Sequence, residues 1–475
     1  MFDILLSNMD ETENPLYLQI YNQFRERILT GDIQSNTRLP SVRALQLQLN
    51  ISKTPIETAY QMLVAEGFVY SKPQSGFYVI NMDEYESRQQ NKQPDYFLNT
   101  PTPDELSVKK KYIIDFDPSA VDNEFFPIRT WKKMLHHVLE NYSNRIGEYG
   151  DMKGEHFLRK TIANYLRNSR RVNCSPEQII IGSGISYSIT ILTRLIEGIR
   201  YVAFEEPGFE PVREQFLQNG YEIIPIEVSN NSFGIKKLEE SGAQMIYVTP
   251  SHQFPTGRVM PYTEREYLLH WANKHNAYII EDDYDGEFRY LGKPIPSLQS
   301  IDHQGRVIYI GTFSKAFTPA LRMNYMVLPM RLLKKLESIH HFLSCPSRVE
   351  QWAMHAFIEQ GHWYRHIRRM RNKYRKKHFT LMECIQTHFA NKVEITGHSA
   401  GLHLQITVKT RLHEKELLKL AADKGVRVYD FQKMRINKTQ SSYPSIYLGF
   451  AGIREADLEK GIQLLKEAWS HSFIE

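Results

Sequence analysis

This 475-residue chain has only three cysteines, Cys174, Cys345 and Cys384. They are scattered and lack metal-ligand spacing. That excludes a disulfide framework and a cysteine zinc site, so the thiols read as reduced. No apolar run approaches the roughly 18–20 residues needed to span a bilayer. No basic segment leads into an apolar one after Met1-Phe2-Asp3-Ile4. No signal peptide is therefore expected, and the cytoplasm is the expected location. Net charge is also small: 59 Lys and Arg against 54 Asp and Glu give a formal +5. Bulk charge therefore announces no nucleic-acid partner. Hydrophobic content of 41% and charged content of 24% are ordinary for globular protein. The chain is too long for one compact core, so two or three domains are expected.

Residues 15–30 place Leu16, Ile20, Phe24 and Ile28 at helical spacing, and Gly31 stops that helix. In Arg38-Leu39-Pro40-Ser41-Val42-Arg43, Ser41 can cap a second helix. Leu45, Leu47 and Leu49 alternate as in a strand, whereas Val42, Leu45 and Leu49 fit a helix, and the pattern leaves both open. Ser52 can cap a third helix with Pro55 in its first turn, where a missing N–H costs little. Ile56, Tyr60 and Leu63 form its inner face, and residues 67–79 read as a hairpin. The whole is a winged helix–turn–helix. Among residues 1–80, Arg25, Arg27, Arg38, Arg43, Lys53 and Lys72 face eight acids, four of them before residue 15. The module is slightly acidic, yet its cations cluster on one prospective DNA face.

Residues 81–112 are polar, proline-punctuated and without periodicity, as expected of a flexible linker that sets reach. Beyond them, candidate strands at 178–182, 201–205, 243–249, 277–281, 306–310 and 324–328 alternate with helical patterns at 184–197, 209–219, 263–275 and 330–343. Such alternation predicts a mostly parallel α/β sheet covered on both faces. Strand-like 402–408 and 445–450 and helix-like 411–424 and 454–469 predict a smaller α+β part. The expected division is a head at 12–80, the linker at 81–112 and a body at 113–475. The body would split into a large part at about 150–335 and a small one at about 345–475.

Two strand ends carry chemistry. One apolar run leads into Gly311-Thr312-Phe313-Ser314-Lys315, another into Glu281-Asp282-Asp283-Tyr284-Asp285. Ligands of open α/β sheets gather at the carboxyl ends of strands. A lysine able to form a Schiff base and an acid able to pair with a protonated ring nitrogen are what pyridoxal 5'-phosphate (PLP) requires. Asp282 would hold the ring N–H through a charge-assisted hydrogen bond. Tyr284 would reach the phenolic oxygen, and Phe209 would stack on the ring. Gly182-Ser183-Gly184-Ile185-Ser186 follows a strand and opens a helix, whose free N–H groups and dipole suit a phosphate. Thr312, Ser314 and Arg322 would add donors. Alone, Lys315 would read as a surface lysine and Asp282 as a capping acid. At successive strand ends, with Arg322 seven residues beyond the lysine, they point to the cofactor.

Residues 12–80 resemble the GntR-type DNA-binding domain, most specifically in Leu39-Pro40-Ser41-Val42-Arg43 and the wing end Gly76-Phe77-Tyr78-Val79. The resemblance implies DNA contacts from Arg38, Ser41 and Arg43, from Lys53, Thr54 and Thr58 on a recognition helix, and at Gly76 on the wing. Residues 113–475 resemble a fold-type I aminotransferase, through Glu205-Glu206-Pro207-Gly208, residues 249–257, Glu281–Asp285 and Gly311–Lys315. Head and body together resemble the MocR/GabR family of bacterial transcription factors. That resemblance implies an internal aldimine at Lys315, operator DNA as partner and a homodimer, head-to-tail. It also implies a tyrosine from the neighbouring subunit at the phosphate, for which the stretch Glu148–Gly154 nominates Tyr149.

The chain departs from the amino-acid-sensing members. Where an arginine follows Gly-Phe-Ala in those relatives, Gly452 follows Gly449-Phe450-Ala451 here. Where another follows Pro-Gly-Tyr-x, Pro211 follows Pro207-Gly208-Phe209-Glu210. Arg454 and Arg213 are the candidates to substitute. Phe254 stands where aminotransferases carry Asn before Pro-Thr-Gly, which removes one expected cofactor contact. The expectation is a sensor rather than an enzyme, with PLP itself as signal, as in the PdxR-type members that control vitamin B6 synthesis. An amino-acid-responsive regulator and an active aminotransferase with a DNA-binding appendage are the alternatives. A basic run, Arg365, Arg368, Arg369, Arg371, Lys373, Arg375, Lys376 and Lys377, reads as a solvated helix face or an auxiliary DNA path.

Overall fold

The computed structural model describes residues 15–81, 112–229, 232–291, 296–437 and 443–474. The chain forms two compact units, Met1–Lys109 and Lys110–Glu475. The linker expected at 81–112 lies outside the described residues except for Asn81 and Tyr112.

The first unit has helices α1 (Leu16–Leu29), α2 (Val42–Leu49) and α3 (Lys53–Ala65) and a hairpin of β1 (Val69–Lys72) and β2 (Gly76–Val79). Ile20, Phe24 and Ile28 of α1 pack with Leu45, Ile56, Tyr60 and Leu63 in one core. The ambiguous leucines resolve as helix: Leu45 is 0% exposed and Leu47 is 78% exposed. Ser41 caps α2 by accepting from the Ala44 N–H at 3.1 Å. Ser52 occupies the N-cap of α3, but its side chain makes no cap bond, contrary to expectation. The third residue of α3 is Pro55, so one of the two N–H groups that a capping hydroxyl can accept from, that of the third residue, does not exist.

The second unit is built on a seven-stranded sheet: β3 (Ile179–Gly182), β4 (Tyr201–Glu206), β5 (Glu222–Glu227), β6 (Met245–Val248), β7 (Tyr278–Asp283), β8 (Val307–Thr312) and β9 (Asn324–Val327). Their order is β3-β9-β8-β7-β6-β4-β5. All pairings are parallel except those of β9, which is antiparallel to both β3 and β8. β5 is absent from the sequence-based strands. It is an edge strand containing Pro225 and lacks a fully buried run, which is where a strand can carry a proline. The helix expected at 330–343 is α-helical only over Met330–Leu336 and tightens to a 3-10 helix over Glu337–Phe342.

Helix α4 (Ile185–Leu195) follows β3, and the long helix α5 (His362–Phe389) leads to the smaller sheet. That sheet has strands β10 (Val393–Thr396), β11 (His403–Val408), β12 (Tyr429–Asp430) and β13 (Ser445–Gly449), all antiparallel in the order β10-β11-β13-β12. Residues 112–120 join this smaller part rather than standing apart from it. Ile114–Asp115 pair in parallel with Val426–Arg427, and the Gly449 N–H donates to the Phe116 carbonyl at 3.0 Å.

The basic run lies on α5 but is not uniform. Lys377 is buried, with Nζ 2.5 Å from Asp122 Oδ2 and 2.8 Å from the Ala451 carbonyl. The helical period places it on the inner stripe with Met370, Tyr374 and Leu381. Arg371 is half-buried and donates to the Glu287 carbonyl at 2.9 Å. The other six cations are exposed.

The two leucines of α2 provide a stability test. Leu45→Ala should destabilise the first unit by about 2–5 kcal/mol. Leu47→Ala should change it by less than about 0.5 kcal/mol. Hydrogen exchange of the α2 and α3 amides in the full chain reads both.

Candidate functional site

Strand alternation sorts the three carboxylates that end β7. Glu281 and Asp283 face one way. Glu281 accepts backbone N–H groups of Leu298 at 2.8 Å and Gln299 at 2.9 Å, with Arg265 at 3.9 Å. Asp283 accepts from Arg170 Nε at 2.6 Å and from the Tyr309 hydroxyl at 2.7 Å. Asp282 faces the other way and accepts from the Tyr247 hydroxyl at 2.5 Å. Burial pushes the Asp282 carboxyl up to about 7, and the charges of Asp283 and Asp285 push it the same way. No cationic side chain among the described residues counters them.

Asp282 pairs in register with Ile310 of β8, and Ile310 and Thr312 line the same cavity of about 390 Å³. This is within the range of small-ligand sites. The structure brings Lys315, Asp282, Tyr284, Phe209, Gly184, Thr312, Ser314 and Arg322 to that one cavity. Lys315 Nζ donates to the carbonyls of Pro118 at 3.0 Å and Ser119 at 2.9 Å. Burial holds this amine below the usual lysine range, while Asp285 and Asp117 oppose the shift. A lysine so placed is more often in the neutral, nucleophilic form.

At the other end of the cavity Gly184 has φ +116, and a Cβ there would lie 2.8 Å from Arg322 Nη2. Glycine thus lets the guanidinium close on the start of α4, whose first-turn N–H groups have no intrahelical acceptor. One expected donor is already taken: the Gly184 N–H donates to Asn324 Oδ1 at 3.0 Å. Thr312 Oγ1 accepts from the Ser314 N–H at 3.1 Å, which shapes the turn before Lys315. Ser183 is exposed, is not among the residues lining the cavity, and offers Arg322 its carbonyl at 3.5 Å. Tyr149 is fully exposed and lies outside the cavity of its own chain.

Phe209 and Phe254 meet edge to face at 5.3 Å and both line the cavity. Phe254 therefore replaces an amide with an aromatic wall, and Gln253 uses its own amide on the Pro207 and Phe254 carbonyls, each at 2.8 Å. Neither candidate arginine lines the cavity. Arg213 donates to the Lys433 carbonyl at 2.9 Å, and exposed Arg454 donates to Asp457 at 2.8 Å. Sequence reasoning missed Asn324, Tyr247 and the segment Asp117–Ser119. Asn324 needs the antiparallel sense of β9 to be found, and Asp117–Ser119 needs a pairing more than 300 residues apart.

In the first unit, Arg38 lies against the wing: a Cβ on Gly76 would sit 3.4 Å from Arg38 Nε. Arg43, Lys53 and Thr54 are exposed, and Lys53 pairs with Glu57 at 3.0 Å. Ser41 spends its oxygen on its cap, and Thr58 Oγ1 donates to the Thr54 carbonyl at 2.9 Å.

The fold and cavity define an aminotransferase-like protein with a separate winged helix–turn–helix. Residues 117–465 match the family model "Aminotransferase class I and II", and residues 16–79 match "Bacterial regulatory proteins, gntR family". An uncharacterized HTH-type transcriptional regulator of Bacillus subtilis, YdeL, is 41% identical over 96% of this chain and 97% of its own. The probable rhizopine catabolism regulatory protein MocR of Rhizobium meliloti is 30% identical over 97% and 94%. The HTH-type pyridoxine biosynthesis transcriptional regulator PdxR of Corynebacterium glutamicum is 27% identical over 77% and 78%. In fold, the multiple substrate aminotransferase of Thermococcus profundus superposes with a TM-score of 0.70 at 23% identity, covering 82% of this chain and 98% of that one. The chain belongs to the MocR/GabR family of transcriptional regulators, DNA-binding proteins whose aminotransferase-like domain takes PLP. The cavity fits that cofactor: it offers a buried carboxylate without a cation, a lysine biased toward its neutral form and a glycine cradle beside an arginine. No helix of the described residues is long and apolar enough to cross a membrane.

Because Asp283 is buried against Arg170, Arg170→Met should destabilise the second unit by about 3–5 kcal/mol through the uncompensated charge. Arg170→Met combined with Asp283→Asn should recover most of that loss. Urea unfolding of the full chain, followed by tryptophan fluorescence, measures both.

Proposed function

We propose that this chain senses PLP itself and controls genes of vitamin B6 synthesis. Lys315 would anchor the cofactor, Asp282 its ring nitrogen and Tyr284 its phenolic oxygen, with Phe209 against the ring. Gly184, Ser183, Thr312, Ser314 and Arg322 would hold the phosphate. When bound, PLP supplies an aldehyde and an electron-withdrawing ring. The observation that carries the reading is a cavity equipped for the cofactor but, among the described residues, without a second guanidinium in its lining to grip an amino-acid carboxylate.

Bidentate pairing with arginine is the usual means of orienting such a carboxylate. At Gly452, a Cβ would already lie 2.6 Å from the Ala120 Cβ, so the Ala120 side chain leaves little room for a longer one. The similarity to a pyridoxine biosynthesis regulator supports the same direction.

Arg38, Arg43, Lys53, Thr54 and the wing at Gly76 would contact operator DNA, with Ser41 and Thr58 secondary because their hydroxyls already serve their helices. Exposed Tyr149, flanked by exposed Ile146 and Met152, supports a head-to-tail homodimer in which Tyr149 completes the partner's phosphate site. The chain would work in the cytoplasm. PLP would act through different affinities for two arrangements of the dimer, and the coupling would be reciprocal.

The test combines absorbance with DNA binding. The purified chain should show a visible cofactor band that Lys315→Ala abolishes. PLP alone should change affinity for the intergenic DNA beside the chain's own gene by about 5–150-fold. A DNA response to one amino acid, with none to PLP, would favour the amino-acid-responsive regulator. Sustained turnover of an amino acid with a keto acid would favour the enzyme.

A further inference from the structure

Tyr284 lines the cavity, and its hydroxyl oxygen lies 2.9 Å from Nδ1 of His252. The same Nδ1 lies 2.8 Å from Oδ2 of Asp285. One ring nitrogen thus faces two oxygens, and it carries either a proton or a lone pair. A lone pair would oppose the carboxylate of Asp285, which in its ionised form only accepts. It would also place the ring proton on Nε2, which is buried without a hydrogen-bond partner among the described residues. An unsatisfied buried donor is a rarer defect than an unsatisfied acceptor. Both considerations put the proton on Nδ1. A doubly protonated ring gives the same result, because its Nδ1 also donates.

Toward His252, then, the Tyr284 oxygen is an acceptor, and its own O–H must point elsewhere. Burial raises the Tyr284 hydroxyl well above its usual range, with Asp285 and Asp282 adding to the shift, so that proton stays in place. The free direction is the cavity. We propose that the buried His252–Asp285 pair positions Tyr284 as a hydrogen-bond donor into the cavity, toward the phenolic oxygen of PLP. This rests on the reading of the cavity as the cofactor site, and it assigns work to two residues that the binding roles above leave unused.

The surroundings hold His252 in this role. A Cβ on Gly401 would lie 1.9 Å from His252 Cε1, and Gly401 has φ +78, so glycine alone fits there. The Gly401 N–H is anchored on the Phe288 carbonyl at 2.7 Å. The His403 ring lies 4.7 Å away, but its Nε2 faces the Pro255 carbonyl at 3.1 Å and so donates there. The titratable groups facing His252 are Asp285 and Tyr284 after β7, His403 on β11 and His378 on α5. Burial holds His403 well below the usual range and takes His378 to about 4, so both rings are neutral near pH 7.

A donor on the phenolic oxygen stabilises negative charge there. It therefore lowers the pH at which the bound cofactor's visible band changes, and losing the donor raises it. The experiment is a pH titration of that band in the PLP-loaded full chain. Tyr284→Phe should raise the midpoint by about one pH unit or more. His252→Phe, which keeps ring bulk against Gly401 but removes Nδ1, should raise it in the same direction. The double variant should stop at the value of Tyr284→Phe alone, because His252 acts through that hydroxyl. His252→Leu serves as the second variant if His252→Phe does not fold.

An unmoved midpoint in a folded His252 variant overturns the proposal. So does an equal shift with and without the Tyr284 hydroxyl. A wild-type chain with no visible band overturns the cofactor reading and this one together, whereas a normal band that ignores His252 overturns this one alone.

Discussion

Asp282 is a buried carboxyl at the cavity wall with no cationic side chain against it among the described residues, and the cavity is built around that condition. Such a group is unfavourable as a charge unless something positive meets it. The two acids beside it are relieved differently: Asp283 meets Arg170, and Glu281 meets backbone N–H groups and Arg265. Only Asp282 is left to a tyrosine hydroxyl and a cavity. Neighbouring charges that would push a carboxylate toward neutrality in isolation make it a strong partner for a cationic ring N–H.

The remainder of the cavity follows the same economy of contacts. Glycine at 184 allows Arg322 to close, and the turn Thr312–Ser314 delivers Lys315 beside two carbonyls. At Gly452, an added Cβ would meet the Ala120 side chain. The scaffold of an enzyme family is kept, while among the described residues Arg322 is the one arginine that lines the cavity. A regulator needs the cofactor's binding energy to differ between two states of the protein, and it does not need turnover.

Much of this was legible in one dimension. Apolar runs marked six of the seven strands of the large sheet, and helical spacing marked the first and third helices of the winged unit while leaving α2 open between helix and strand. β5 escaped because an edge strand with Pro225 lacks a continuous apolar run. Lys377 was grouped with solvated cations because charge is read along the chain, whereas burial is decided by the helix stripe it shares with Met370 and Tyr374. The cap bond expected of Ser52 is not made, and Pro55 removes one of the two N–H groups it could have used.

The chain's own residues determined which side chains end at the strand tips, and strand alternation separated Asp282 from Glu281 and Asp283. Those are local matters of chemistry and period. Tertiary structure alone decided that Asp117–Ser119 close over Lys315, that Asn324 takes the Gly184 N–H, and that His252 meets Asp285 and Tyr284 at one nitrogen. Such meetings depend on the sense of a strand and on pairings up to several hundred residues apart, which no local pattern encodes.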